Sequence, residues 1–201
     1  MSDIKEEEEY AKKYPDLLRL GRMPSKKDQG FVKVEDRFVE IVSRLFLASA
    51  AQAQNEMTMD ENKITHVLHI GVRKIQYRKP RTQHVVFMED EDVDISAVLK
   101  EAIEFIQRSL RASETNKICV HCFAGSSRSP TVVAAYLASS QSVDTDQAFS
   151  FVLQKAPWIC PSGFFQTQVR NYLLFIYFFS LLLNHVHSGG GNQRSIDTVF
   201  R

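Results

Sequence analysis

The sequence predicts an α/β fold, with a central, mostly parallel sheet flanked by helices and a site at the carboxyl end of one strand. Three observations predict it. Ile118, Cys119 and Val120 make a short apolar run, followed by a loop of small residues and a helix-like stretch from Ser129. Residues 64–70 alternate and are rich in β-branched side chains, as a strand is. Residues 95–110 place Ile95, Val98, Leu99, Ala102, Ile103, Ile106 and Leu110 at the i, i+3, i+4 spacing of an amphipathic helix packed on a sheet.

Taken in order, residues 1–35 form a charged arm with a like-charge block at 6–9, read as a solvated segment or short helix. The folded domain is expected over 36–174. It begins with apolar pieces at 38–42 and 45–47, then a small-residue turn and helix at 48–55. After the strand at 64–70, Arg73, Lys74, Arg78, Lys79 and Arg81 cluster around Tyr77 and Pro80, as an exposed loop or as a basic rim for acidic ligands. His66 and His69 read as plain strand residues. His84 to Phe87 is the next strand, and Glu89, Asp90, Glu91, Asp92 and Asp94 make an acidic run before the 95–110 helix. Residues 142–154 read as a helix capped by Asp144 or Thr145, with Ala148, Phe151 and Val152 inward. A loop at 157–164 leads to a last helix at 164–174. Beyond it, residues 172–183 are nearly all apolar. Spanning lipid takes about 20 residues, so this run reads as a buried or self-associating helix, with membrane contact the alternative. The glycines at 189–191 open a polar end read as disordered.

The chemistry concentrates at 121–129. A strand, a tight loop and a helix N-terminus together make an anion cradle, because backbone N–H groups and the helix dipole converge there. Pro130 is tolerated in the first helical turn, where its missing N–H has no intrahelical partner. Cys122 opens the loop and Arg128 closes it, with Phe123, Ala124, Gly125, Ser126 and Ser127 between them. An ionised sulfur is the useful nucleophile, and such a cradle favours it. Arg128 offers a planar fork that matches two phosphate oxygens. The expected reaction is attack of the Cys122 sulfur on phosphorus, giving a phosphocysteine that water hydrolyses. Cys119 and Cys122 also form a C-x-x-C, which could be a redox pair or half of a zinc site.

His121-Cys122, Gly125 and Arg128-Ser129 resemble the H-C-x5-R-S signature of cysteine-dependent protein phosphatases, and Pro130 with the short chain resembles the small dual-specificity branch. The resemblance covers roughly residues 38–174. It implies that His121 orients the loop and assists ionisation of the thiol, and that Ser129 hydrogen-bonds the sulfur. It implies too that a loop carboxylic acid protonates the leaving oxygen. Matching Asp94-Ile95 to the family's helix start puts Glu89 at the acid position, whereas counting back from Cys122 favours Asp90 first and Asp92 second. Like-charge crowding there would keep an acid protonated nearer neutrality. Ala156 and Ser162 depart from the basic residue and the asparagine usual in the family's closing segment.

The implied activity is hydrolysis of phosphotyrosine and phosphoserine or phosphothreonine on proteins, without metal or other cofactor. The loop lacks the lysines of phosphoinositide phosphatases, so lipid is the enzymatic alternative, and a phosphate-binding adaptor the non-enzymatic one. With 201 residues a single domain is the default, and a formal net charge of +1 argues for no nucleic-acid partner. Three cysteines suit a reducing compartment, cytoplasmic or nuclear. The first ten residues lack a basic n-region and an apolar h-region, so no secretory leader is expected there.

Overall fold

The computed structural model describes residues 32–71, 75–79, 81–86, 88, 94–141 and 143–188, with side chains placed as far as 181. The charged arm to residue 31, Arg73, Lys74, Glu89, Asp90, Asp92 and the polar end from 189 lie outside the described residues.

Five strands form one sheet in the order β1-β2-β5-β3-β4: β1 (Phe38–Val42), β2 (Leu45–Ala48), β3 (His66–Ile70), β4 (Thr82–Val86) and β5 (Ile118–His121). Only the β1–β2 hairpin is antiparallel; β2, β5, β3 and β4 run parallel, as the sequence predicts. The hairpin turns at Arg44, a non-glycine residue at φ 70°. Its guanidinium explains the choice, since Nη1 donates to the Leu110 and Ser113 carbonyls at 3.1 and 3.0 Å and anchors the edge hairpin to a distant helix end. β5 lies at the centre, with Leu47 and Leu68 flanking Val120 and all four of its residues buried.

Helices cover both faces. The short α1 (Ala50–Ala53) and α2 (Glu56–Glu61) close one side over Phe46, Met59, Ile64, Val67 and Cys119. On the other side lie α3 (Ser96–Ala112), α4 (Arg128–Gln141), α5 (Thr145–Lys155) and α6 (Gly163–Ser188). The expected stripe of α3 is buried at Leu99, Ala102, Ile103 and Ile106, joined by Phe105 and Ser109. α4 sits between the sheet and its neighbouring helices, so nearly its whole circumference is buried and it shows no single apolar stripe.

Two helices differ from the sequence expectation. In α5 Phe149 is buried and Phe151 is exposed, because the helix starts at Thr145 and its inward stripe is Ala148, Phe149, Val152 and Leu153. The last helix does not stop at 174 but runs unbroken to Ser188. Tyr172 and Leu173 still touch the core, but Phe175, Tyr177, Phe178 and Phe179 beyond them are exposed, so this part of the apolar run is not buried within the domain. Among the described residues no helix is long and apolar enough to cross a membrane.

Asp144 caps α5 through a reciprocal capping box with Gln147. Asp144→Ala is expected to lower stability by about 1 kcal/mol, read from urea unfolding, with the phosphate-cradle residues undisturbed.

Candidate active site

Strand β5 ends at His121, the loop runs from Cys122 to Ser127, and α4 begins at Arg128. Cys122 is 2% exposed and receives the Ser129 hydroxyl on its sulfur at 3.2 Å. The shape of the loop follows from where its carbonyls go. His121 Nδ1 holds the Cys122 carbonyl at 3.0 Å, and the Ala50 N–H holds that of Phe123 at 3.0 Å. Arg37 Nη1 donates to the Ala124 carbonyl at 2.9 Å while its Nε is fixed on the Val32 carbonyl at 3.1 Å. Trp158 Nε1 donates to the Gly125 carbonyl at 3.1 Å, and the Cys160 N–H to that of Ser126 at 2.6 Å. The Thr131 hydroxyl takes the Ser127 carbonyl at 2.9 Å.

Each carbonyl is thus tied to the surrounding scaffold. In a planar trans peptide the next residue's N–H points the opposite way, and none of these bonds is cis. The N–H groups of residues 123 to 128 therefore turn toward the concave side, as an anion cradle requires. Gly125 makes the curvature possible. Its φ is +65°, and a Cβ there would lie 2.6 Å from the Ala48 carbonyl oxygen.

Arg128 closes the cradle, its Nη1 3.4 Å from the Met88 carbonyl. That contact brings the chain entering the acidic run to the site; the acid candidates Glu89, Asp90 and Asp92 themselves lie outside the described residues. His121 is fully buried, stacked on His69 and hydrogen-bonded at Nε2 to the Tyr77 hydroxyl. Burial, with His69 alongside, pulls its imidazole down to about 3, against the opposing pull of the Cys122 carbonyl. Burial and then the Arg128 charge also lower His69. Phe123, by contrast, is 74% exposed beside the nucleophile.

The C-x-x-C does not act as a unit. Cys119 packs in the core under α1 and α2, while Cys122 belongs to the opposite core, and burial pushes the Cys119 thiol up to about 12. Two cations of the basic cluster are engaged away from the loop. Arg81 pairs with Glu56 and Asp60 of α2 at 2.7 and 2.6 Å, and Lys79 pairs with Asp60. Arg81 precedes the first residue of β4, at the end of the sheet away from Cys122. The open recess lined by Met59, Asp60, Lys63 and Thr82 is at that far edge too. The sequence pointed to no site role for Arg37, His69, Tyr77 or Trp158, which all lie outside the 121–129 signature; of the four only Trp158 falls in the closing segment that resembles the family's.

A cysteine on the floor of a strand–loop–helix cradle, with an arginine at its rim, defines the cysteine-dependent phosphatase class. Comparison with known proteins narrows this. Residues 45–173 match the family model described as dual specificity phosphatase, catalytic domain, and the chain belongs to that family. It is 33% identical over 136 residues to dual specificity protein phosphatase 1 of Mus musculus, covering 67% of this chain and 36% of that one. It is likewise 33% identical over 136 residues to dual specificity protein phosphatase 2 of Homo sapiens, covering 43% of its length. The chain thus spans well under half the length of these two relatives. Among solved structures, the human tyrosine phosphatase-like serine/threonine/tyrosine-interacting protein superposes with a TM-score of 0.65 at 26% identity, covering 70% of this chain and 97% of that one. Human DUSP28 shares the fold with a TM-score of 0.65 at 24% identity, over 70% of this chain and 95% of that one.

Two outcomes are expected from this geometry. Gly125→Ala, strained at φ and driven against Ala48, should abolish catalysis while the protein stays folded, as measured by phosphate release and circular dichroism. The buried histidines set a pH slope. His121 falls from 6.5 unfolded to about 3 folded, so the unfolded state binds more protons between those values. Stability is then full above pH 6.5 and declines as pH falls, by about 1.4 kcal/mol per unit for His121 alone. Urea unfolding at pH 6.5 and 5 should show the decline, and His121→Phe should flatten it.

Proposed function

We propose that this chain is a protein phosphatase that hydrolyses phosphotyrosine and phosphoserine or phosphothreonine through a phosphocysteine intermediate. The observation that carries the reading is the outward tethering of the loop carbonyls above Cys122. It supplies a ring of inward N–H donors at the place where charge develops on a transferring phosphoryl group. The Cys122 sulfur attacks phosphorus as the P–O bond to the side-chain oxygen breaks. Arg128 and the N–H groups of Phe123, Ala124, Gly125, Ser126 and Ser127 hold the equatorial oxygens. An acid from the run after Met88 protonates the leaving oxygen, with Asp90 the first candidate, Asp92 the second and Glu89 the third. The same loop carboxylate, ionised by the first step, then takes a proton from water as it attacks the phosphocysteine; the S–P bond breaks, and the Ser129 hydroxyl supports the departing sulfur.

Phosphorylated proteins are the partner class this predicts, and the reaction calls for no metal. The site of action we infer is cytoplasmic, with the nucleus the alternative.

The test is phosphate release from a doubly phosphorylated Thr/Tyr peptide and from a phosphoinositide, both in chelator. Peptide turnover is expected, and Cys122→Ser should abolish it. Asp90→Asn is expected to lower kcat on the peptide about 100-fold; the same loss in Asp92→Asn or Glu89→Gln would reassign the acid. Turnover of the lipid alone would replace protein by lipid as substrate. Tight phosphopeptide binding without release would leave an adaptor.

A further inference from the structure

The last helix, α6, has two unlike sides. One rests on α3, α4 and α5, with Phe165 and Val169 buried and Tyr172 and Leu173 partly buried against the core. Ile176 and Ser180 continue that side and stay half-buried. The opposite side is exposed, and its chemistry changes along the helix. It is polar at Thr167, Arg170 and Asn171, where Arg170 reaches Asp146 on α5 at 2.8 Å. It then turns apolar at Leu174, Tyr177, Phe178 and Leu181, the i, i+3, i+4, i+7 spacing of a single helix face. Phe175 and Phe179 flank this face, their rings stacked on each other with centroids 6.0 Å apart. Phe175, Tyr177, Phe178 and Phe179 are 67%, 59%, 60% and 51% exposed. A fully buried aromatic side chain covers about 150–250 Å², so these four leave about 500 Å² open to water. A patch of that size on one protein marks an interaction surface.

We propose that the face of α6 formed by Leu174, Tyr177, Phe178 and Leu181 is a self-association surface, on which a second copy of this chain seats the same face about a two-fold axis. Area, length and charge each favour this occupant. Two such faces together cover about 1,000 Å² from the aromatic rings alone, the size at which a specific interface begins, and the two leucines add to it. The apolar run at 172–183 rises only about 18 Å, well short of the roughly 30 Å of a bilayer core. A helix lying in a lipid surface sets basic side chains opposite its apolar face. Residues 171–188 hold no Lys or Arg, and the side opposite the patch is turned to the domain. The same lack of charge suits a self-complementary pair, because a two-fold axis brings like residues together and here brings no like charges together.

The experiment is equilibrium ultracentrifugation of the full chain, in reductant so that the exposed Cys160 cannot link two copies. The mass should rise from 23.0 kDa toward twice that value as concentration increases from about 1 to about 100 μM. Phe178→Glu places a charge at the centre of the pair and should weaken association more than about tenfold. Thr167→Glu adds the same charge to the polar part of the same side and should leave association unchanged. Circular dichroism checks that each variant is folded. If Phe178→Glu is not, the double variant Leu174→Gln with Leu181→Gln decides, and it too should sediment as a monomer. Wild type that stays monomeric at about 100 μM would overturn the proposal. So would association that survives Phe178→Glu or the double variant, or that Thr167→Glu weakens equally. A parallel flotation assay uses vesicles of phosphatidylcholine and phosphatidylserine in equal parts. The wild-type chain should remain in solution, and a monomer that floats with the vesicles would replace the second copy by lipid.

Discussion

The site depends on the rigidity of the peptide unit. A loop of small residues has no reason of its own to turn its N–H groups to one side. It does so here because Cys122, Phe123, Ala124, Gly125, Ser126 and Ser127 each lose their carbonyl to a donor outside the cradle. Those donors come from different parts of the chain: the segment before β1, the start of α1, the end of β5, the loop before α6 and the first turn of α4. Any one of them acts on a single peptide. Together they make the concave surface a property of the whole domain.

The sheet and helices give this arrangement its frame. The central position of β5, paired on both sides by parallel strands, leaves its last residue little freedom. The hairpin and the start of α1 deliver Ala48 and Ala50 to one flank of the loop, and the closing segment delivers Trp158 and Cys160 to the other. Gly125 passes between them where no side chain would fit. The departures at Ala156 and Ser162 leave this bracing intact. Ala156 is buried in the core, and the Ser162 hydroxyl accepts the Phe165 N–H at the start of α6.

What was legible in the sequence was what is contiguous in it. The signature from His121 to Ser129, the strands with alternating residues and the stripe of α3 all declare themselves within a short window. The partners that hold the loop do not. Arg37 acts on Ala124 across 87 residues, and Tyr77 on His121 across 44. In the sequence Tyr77 was merely the aromatic member of a basic cluster, and His69 one residue of a strand. For the basic cluster the sequence left an exposed loop and a basic rim open, because partners distant along the chain are not visible in it; Glu56 and Asp60 on α2 engage Arg81. Phe151 was expected inward where Phe149 is buried, for a local reason. Two residues apart on a helix point to nearly opposite faces, so a small error in phase reverses inside and outside. The last helix outran its expected end because nothing between 174 and 184 breaks a helix: no glycine, no proline and no capping residue before Asn184.

Trp158 is the only tryptophan in the chain, and its indole nitrogen is bonded to the Gly125 carbonyl. The protein therefore carries a single indole fluorophore wired to the back of its own cradle, beside six tyrosines that absorb at shorter wavelength. With light too red to excite those phenols, filling or distorting the loop alters the emission of that one indole, so occupancy can be followed optically, without a label, in the unmodified molecule.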